Sequence, residues 1–299
     1  MKKFVLKGPC QDQLIMSKNK KGVLIFARNN AQIDYIKQAH FLAKRIKEYL
    51  DLPTTIVTDS IDYLKNTYKD YKTVFDQVIE VPLTTSLSRK RYYDGTNVFK
   101  QLEFKNDLRT SAYDLTPYEE TLMLDSDYIV SNDLFKNCFT QDHDFLIFKE
   151  AHDLSGFRDN AQFVHISDTS VDFYWATCVF FRKTKANKIF FDLTKHIQEN
   201  WQHYNSIFQI NRRTFRNDWV FSIAIHIMNG YQRGDFSHTM PGTMYFTTDK
   251  DILWELKDDN FLFLIQKENY LGEYTPLKVK GSSVHVINKF SLNRIIDNE

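Results

Sequence analysis

The first half of the chain alternates short apolar runs with segments of helical periodicity, and this alternation restricts the folds open to it. Four runs have the length and composition of buried strands, at residues 22–26, 54–57, 78–81 and 121–124. Apolar residues recur at helical spacing between them, in the segments 33–50, 61–68 and 98–108. This order predicts an α/β fold with a mostly parallel sheet and helices on its faces.

The second half is less regular and predicts a mixed arrangement of helices and strands. Its expected elements are a strand at 174–181, helices at 185–203 and 219–228, and short strands at 252–256 and 261–265. Asn217 or Asp218 is expected to cap the second of these helices. No linker rich in Pro, Gly or Ser separates the two halves. We therefore expect a single domain of residues 1–299, with halves of about 20–135 and 136–299.

Glycine is scarce, and its positions exclude two common nucleotide folds. The 299 residues include nine glycines, and no two of them are separated by a single residue. Neither the G-x-G-x-x-G fingerprint nor the P-loop pattern can therefore be written in this sequence. A nucleotide bound by this chain would have to be held by side chains or a metal instead of a glycine-rich loop.

The charge and the apolar content bound the possible function classes. Hydrophobic residues make up 42% of the chain, which is enough for a core and excludes disorder as the main state. The 39 Lys and Arg nearly balance the 38 Asp and Glu, giving a net charge of +1. This balance excludes a strongly basic coat for nucleic acid, although it leaves room for a local basic patch.

The cysteines and the apolar runs favour a cytosolic protein. Cys10, Cys138 and Cys178 are too few and too far apart for a disulfide framework or a Cys-x-x-Cys site. The first ten residues have no apolar segment typical of a secretory signal, and no apolar run approaches the ~20 residues of a membrane span. We expect a cytoplasmic protein without a membrane anchor, in a bacterium or a virus-infected cell.

An acidic pair at the end of a predicted strand is the most informative motif. Asp125 and Asp127 follow the apolar run 121–124 directly. Ligands of open α/β sheets bind beyond the carboxyl ends of strands, where two carboxylates can hold a divalent cation together with substrate phosphates. Asp is also common in turns, so the pair could instead be structural.

The segment from Leu122 to Leu134, with Asp125-Ser126-Asp127 inside it, resembles the DxD segment of GT-A-fold glycosyltransferases, the glycogenin-like ones in particular. This resemblance implies a Rossmann-like GT-A domain without the dinucleotide glycines, in which Asp127 ligates Mn²⁺ or Mg²⁺ and Asp125 either ligates the same ion or holds the ribose of the donor. It implies transfer of a hexose or pentose from a nucleotide-diphosphate sugar, a UDP-sugar first. The acceptor would be a hydroxyl of a glycan, or of a modified DNA or RNA base as in phage DNA modification.

The same resemblance implies donor-binding residues in the first half. Arg28 and Asn29, after the first strand, would contact the base and ribose, and so would Asp59 after the second. Lys105 and Arg109 would reach the donor, and they are expected on one face of the helix predicted at 98–108. In each case a capping, turn or solvent-facing role is the alternative.

The resemblance also assigns residues of the second half. His285 would complete the metal ligands, and Lys289 would reach the diphosphate. Asp218 would hold the acceptor hydroxyl or deprotonate it, or else cap a helix. The segment 174–182 resembles the strand beneath the sugar, although Trp175, Ala176 and Thr177 replace the residues usual there. His285 could instead be an ordinary core histidine.

Two other functions are also compatible with the sequence. A phosphatase of the haloacid-dehalogenase type also uses Asp-x-Asp after an apolar strand, although normally on the first strand. A non-catalytic module that binds a nucleotide sugar or a nucleic acid is favoured by the basic and aromatic stretches at 89–93 and 212–216. Those stretches could also face solvent, or surround an acceptor that carries phosphate.

Overall fold

The computed structural model describes residues 20–84, 88–95, 98–168, 171–210, 214–267 and 272–297. Cys10, Arg212 and Arg213 lie outside these ranges. The strands within them are β1 Lys21–Phe26, β2 Thr54–Thr58, β3 Gln77–Glu80, β4 Arg89–Tyr93, β5 Phe99–Glu103, β6 Glu120–Asp125, β7 Tyr128–Ile129, β8 Phe145–Phe148, β9 His152–Asp153, β10 Trp175–Arg182, β11 Tyr245–Phe246, β12 Ile252–Lys257, β13 Asn260–Gln266, β14 Tyr274–Lys280 and β15 Val284–His285.

The α-helices of the same ranges are α1 Tyr35–Tyr49, α2 Ile61–Thr67, α3 Tyr71–Val74, α4 Ala112–Leu115, α5 Lys185–Glu199, α6 Trp201–Ile207, α7 Asn217–Met228 and α8 Lys289–Ile296. Short 3₁₀ turns occur at Arg109–Ser111, Leu134–Phe139 and Ala161–Phe163. Within the described ranges, no helix is both long enough and apolar enough to cross a membrane.

The main sheet has six strands in the order β3-β2-β1-β6-β10-β8. The first four strands are parallel to one another, and β10 runs antiparallel to both β6 and β8. The four apolar runs of the first half thus form the parallel part, and α1 packs against β2 while α7 packs against β10. The predicted α/β class with a mostly parallel sheet is confirmed.

A second, smaller sheet brings the end of the chain to the acidic motif. Its order is β7-β15-β11-β9, in which β15 pairs antiparallel with β7 and parallel with β11. Because β7 begins one residue after Asp127, the strand that contains His285 is placed beside the acidic pair. The strands β12, β13 and β14 form a separate antiparallel sheet, so the second half is mixed, as its sequence predicts.

The prediction of a helix at 98–108 is wrong. In its place β5 pairs with β4 as an antiparallel hairpin, in which Arg89 lies opposite Glu103 and Tyr93 opposite Phe99. Most of β5 is exposed, so its sequence lacks the regular burial of a core strand. Lys105 therefore lies in a loop and Arg109 in a 3₁₀ turn, and the two residues do not share a helix face.

Two smaller expectations also need correction. The helix expected at 185–203 divides at Asn200 into α5 and α6. The N-cap of α7 is Arg216, which precedes both of the predicted capping residues. Asn217 and Asp218 lie in the first turn of the helix. Asp218 is therefore not the capping residue, which leaves its carboxylate available for other contacts.

Candidate active site

A cavity of about 610 Å³ opens at the carboxyl ends of β1 and β6. Phe26 and Asp125, which pair in the register of these two parallel strands, both line it. The walls come from distant parts of the chain: the β4 strand, the Arg109 turn, the start of α7 and the segment from His285 to Lys289. The cavity thus lies where open parallel sheets usually bind their ligands.

Asp125, Asp127 and His285 offer one ligand atom each within 4.8 Å of one another. Asp125 ends β6, and the chain turns at Ser126 before it enters β7. The backbone N–H of Val286 donates to the carbonyl oxygen of Asp127 at 2.9 Å, which ties the two segments together. Three residues separated by up to 160 positions in the sequence therefore form one cluster.

Basic side chains neutralise this cluster. Lys289 Nζ donates to Asp127 Oδ2, and His285 Nε2 lies 3.1 Å from the same oxygen. Arg109 donates to Asp125 Oδ1 and to the carbonyl oxygen of Ala176. Among the described residues, hydrogen bonds reach only one oxygen of each carboxylate, which leaves a lone-pair face of each for another ligand.

Burial and these partners shift the pKa values of the two carboxyls in opposite directions. Burial raises the pKa of Asp125, although Arg109 acts against it. Burial would also raise the pKa of Asp127, but Lys289 and His285 outweigh it and hold that pKa far below its usual range. Asp127 is therefore the more acidic of the two carboxyls. Burial disfavours the charged form of Lys289, yet Asp127 dominates and the pKa of Lys289 is raised.

Asp218 lines the cavity on the side of α7. Its Oδ1 accepts a hydrogen bond from the backbone N–H of Ala176 at 3.0 Å, and its Oδ2 accepts from Arg216 at 2.7 Å. Thr177, the residue after Ala176, also lines the cavity, with its hydroxyl 3.5 Å from His285 Nδ1. Strand β10 therefore connects the acidic cluster to Asp218.

The residues expected to bind the nucleoside lie at two depths. Arg28 and Lys105 line the cavity, whereas Asn29 and Asp59 do not. Asn29 accepts from the backbone N–H of Ile36 and donates to Asp34, and so supports the start of α1. The side chain of Asp59 is fully buried and forms an ion pair of 3.0 Å with Lys105.

Several cavity residues were not assigned a donor role from the sequence. Trp175 is 3% exposed and packs between Phe163, Phe173 and Phe246, so it is core and cavity wall at once. Tyr35 lines the cavity and shares a hydrogen bond with Tyr92. Nothing in the sequence distinguishes either one from an ordinary core aromatic residue.

The β4 strand contributes Arg89, Lys90 and Arg91 to the cavity. The basic and aromatic character of residues 89–93 is evident from the sequence, but their position beside the acidic cluster is not. Lys90 is half-buried, and its Nζ lies 5.6 Å from the ring centres of both Tyr92 and Phe104. Burial and the charges of Lys289 and Arg216 lower the pKa of Lys90 to about 8.

No protein-family model and no curated protein matches the chain. Glycosyltransferase GlyE of Streptococcus pneumoniae TIGR4 matches 74% of this chain with 14% identity and a TM-score of 0.42. The galactosyltransferase LgtC, solved with donor and acceptor sugar analogs, matches 68% with 10% identity and a TM-score of 0.44.

Both of these solved structures are glycosyltransferases by name. The match covers 45% of the GlyE chain and 70% of the LgtC chain, so this protein spans less than half the length of GlyE.

Proposed function

We propose that this chain is a metal-dependent glycosyltransferase that moves a sugar from a nucleotide-diphosphate sugar to a hydroxyl group. The observation that carries the proposal is the convergence of Asp125, Asp127 and His285 at the carboxyl end of a parallel sheet, beside Lys289 and Arg109. The two carboxylates and the imidazole can bind a divalent cation, and the two cationic side chains can bind a diphosphate. The site is therefore suited to binding the metal and the diphosphate together.

The three residues fit a divalent cation by their donor chemistry. Each carboxylate keeps one oxygen without a hydrogen bond to a described residue, and imidazole with carboxylate oxygens is a donor set suited to Mn²⁺. A bound cation of this kind would neutralise the charge that develops on the departing diphosphate. Lys289 and Arg109, which contact these carboxylates, would then be released to bind phosphate oxygens.

We assign the nucleoside end of the donor, a uridine first, to Arg28 and Lys105. Both line the cavity, and both are positioned by an acidic partner, Arg28 by Asp107 and Lys105 by Asp59. Asn29 and Asp59 would then act indirectly, because Asn29 fixes the start of α1 and Asp59 fixes the lysine. The half of about 20–135 would hold most of the donor.

Asp218 is proposed to bind the acceptor hydroxyl. In the transfer, the hydroxyl oxygen forms a bond to the anomeric carbon, and the bond from that carbon to the phosphate oxygen breaks. The nucleoside diphosphate leaves with that electron pair, and the hydroxyl proton passes to the carboxylate of Asp218. Since Arg216 already donates to Asp218 Oδ2, release of this contact would make the oxygen available to the acceptor.

Two free, buried cysteines, Cys138 and Cys178, are compatible with action in the reducing cytosol, where we place the protein.

Binding of UDP is the first experiment. Calorimetric titration with UDP should give binding with Mn²⁺ present and at least about tenfold weaker binding with EDTA, because the metal bridges protein and diphosphate. UDP binding that ignores Mn²⁺ would contradict the metal dependence. Release of phosphate from phosphomonoesters, with no UDP binding, would favour the phosphatase instead.

A further inference from the structure

The cavity contains more positive charge than the proposed donor requires. Among the described residues, eight Lys and Arg residues line it, namely Arg28, Arg89, Lys90, Arg91, Lys105, Arg109, Arg216 and Lys289. Five of them form ion pairs with carboxylates: Arg28, Lys105, Arg109, Arg216 and Lys289. Within the described part of the chain, the remaining three, all on β4, form no such pair.

The donor diphosphate is matched without β4. A divalent cation on Asp125 and Asp127 would release Lys289 and Arg109 to face the phosphates, and these charges together offset a diphosphate. Arg28 and Lys105 remain tied to their own carboxylates. The charge of β4 therefore has no counterpart in the donor.

Lys90 shows the imbalance most clearly. It is half-buried between the rings of Tyr92 and Phe104, where water cannot screen it fully. The positive charges of Lys289 and Arg216 repel its ammonium group. The carboxylates of Asp249 and Asp127 attract it, but neither forms an ion pair with it. A cation kept in such surroundings gains most from an anion brought by a ligand.

We propose that Lys90 of the β4–β5 hairpin and Arg216 of α7 form a second anion subsite that binds a phosphate group carried by the acceptor. This inference rests on the proposed function, because it names the acceptor class of the same site. Phosphate bound there would compete with Asp218 for Arg216, whose ion pair is 2.7 Å long. Acceptor binding would thereby release the carboxylate that receives the acceptor hydroxyl.

A single phosphate group, as on a phosphorylated sugar, fits this subsite better than a nucleic acid. Lys90 is recessed in the cavity, and the chain as a whole has a net charge of only +1. A polymer backbone needs a row of exposed cations that follows successive phosphates. Of the three β4 cations, only Lys90 is half-buried, and Arg91 lies over the ring of Phe99.

The test uses glucose 6-phosphate as a charged probe and glucose as its neutral counterpart. Each is titrated into the protein saturated with UDP and Mn²⁺, and again into the protein alone. We expect glucose 6-phosphate to bind without displacing UDP and glucose to bind at least about tenfold more weakly. Lys90→Gln should weaken the phosphate probe by about tenfold, and Lys90→Arg should restore it.

Lys100→Gln is the matched control, since Lys100 lies on the same hairpin over the Phe290 ring and does not line the cavity. Its variant should bind both probes as the native chain does. The subsite is overturned if glucose 6-phosphate fails to bind, displaces UDP, or binds Lys90→Gln unchanged. It is also overturned if a DNA or RNA oligonucleotide binds through Lys90 while the sugar phosphate does not.

The two proposals fail separately. If UDP does not bind, the proposed donor site is wrong. The titration of glucose 6-phosphate into the protein alone still shows whether phosphate binding depends on Lys90.

Discussion

Asp127 is the residue on which the site depends most. It accepts from Lys289 and lies beside His285, and it is 4% exposed. We expect Asp127→Asn to reduce Mn²⁺-dependent UDP binding by at least about a hundredfold, because the amide removes the negative charge and leaves Lys289 without its partner. Calorimetry measures the binding, and circular dichroism confirms that the variant is folded.

Asp133→Asn is the control for this change, since Asp133 is an exposed residue shortly after the motif. It should leave UDP binding unchanged. Equal binding by the native chain and Asp127→Asn would exclude Asp127 as a metal ligand.

Gly22 shows how closely the first strand packs. A Cβ atom at this position would lie 2.3 Å from Cζ of Tyr118, whose ring is buried and whose hydroxyl is 2.8 Å from that of Thr55. We expect Gly22→Ala to lower the free energy of unfolding by about 1–3 kcal/mol, because the ring cannot move aside freely. Urea denaturation measures it, and an unchanged midpoint would contradict the packing.

His40 should make stability depend on pH. It is buried in α1, with its Nε2 2.8 Å from Asp70 Oδ1, and burial lowers its pKa although Asp70 acts against this and Lys44 adds to it. In the unfolded chain His40 is therefore protonated near pH 6.5, whereas in the folded chain it is protonated only at a lower pH. Stability contributed by neutral His40 is complete above pH 6.5 and is lost as the pH falls below it.

The measurement is the free energy of unfolding between about pH 7.5 and 5.5. It should fall with pH in the native chain and fall less steeply in His40→Gln. The same slope in both proteins would contradict this account.

At the same scale, the sequence located the acidic pair but could not place His285 by pattern. Asp125 and Asp127 follow an apolar run, which is a local signal. His285 lies in a short strand whose partner, β7, is more than 150 residues away, and pairings at that distance have no local signature. Resemblance to a known family, and not periodicity, therefore supplied the histidine and Lys289.

Among the helices, α8 is expected to position a binding residue, because Lys289 is its first residue. Its N-cap, Asn288, is fully buried, accepts from the N–H of Ser291 and donates to the carbonyl oxygen of Asp251. We expect Asn288→Ala to lower the free energy of unfolding by about 1–2 kcal/mol. It should also weaken UDP binding, since the start of the helix positions the lysine.

Thr184→Ala is the matched change, because Thr184 caps α5 by accepting from the N–H of Asn187 and does not line the cavity. It should destabilise the fold without altering UDP affinity. If both variants weaken UDP binding equally, or neither does, α8 has no special part in binding.

The β4–β5 hairpin shows where prediction of elements failed. The four core strands were readable because buried parallel strands are continuous apolar runs. In contrast, β5 is mostly exposed and is held by pairing with β4, so Phe99 and Leu102 could be taken for a helix face. The error moved Lys105 and Arg109 onto a helix, although both do line the cavity.

For the whole molecule, we propose that the two halves form one cooperative unit. Strands β8 and β10 of the second half complete the sheet that the first half begins, and one core cluster extends from Val23 to Phe246. All four tryptophans lie in the second half. Unfolding followed by tryptophan fluorescence and by far-ultraviolet circular dichroism should therefore give coincident transitions. Two separate midpoints would show that the halves unfold independently.

The most direct test of the proposed function is turnover of the donor. A panel of nucleotide-diphosphate sugars is incubated with the native chain and with Asp127→Asn, in Mn²⁺ and in EDTA, and the nucleoside diphosphate released is measured. We predict release from at least one sugar nucleotide by the native chain in Mn²⁺, and release at least about a hundredfold slower after chelation or in the variant. Turnover that persists unchanged in EDTA and in Asp127→Asn, or no turnover of any donor, would contradict a metal-dependent glycosyltransferase.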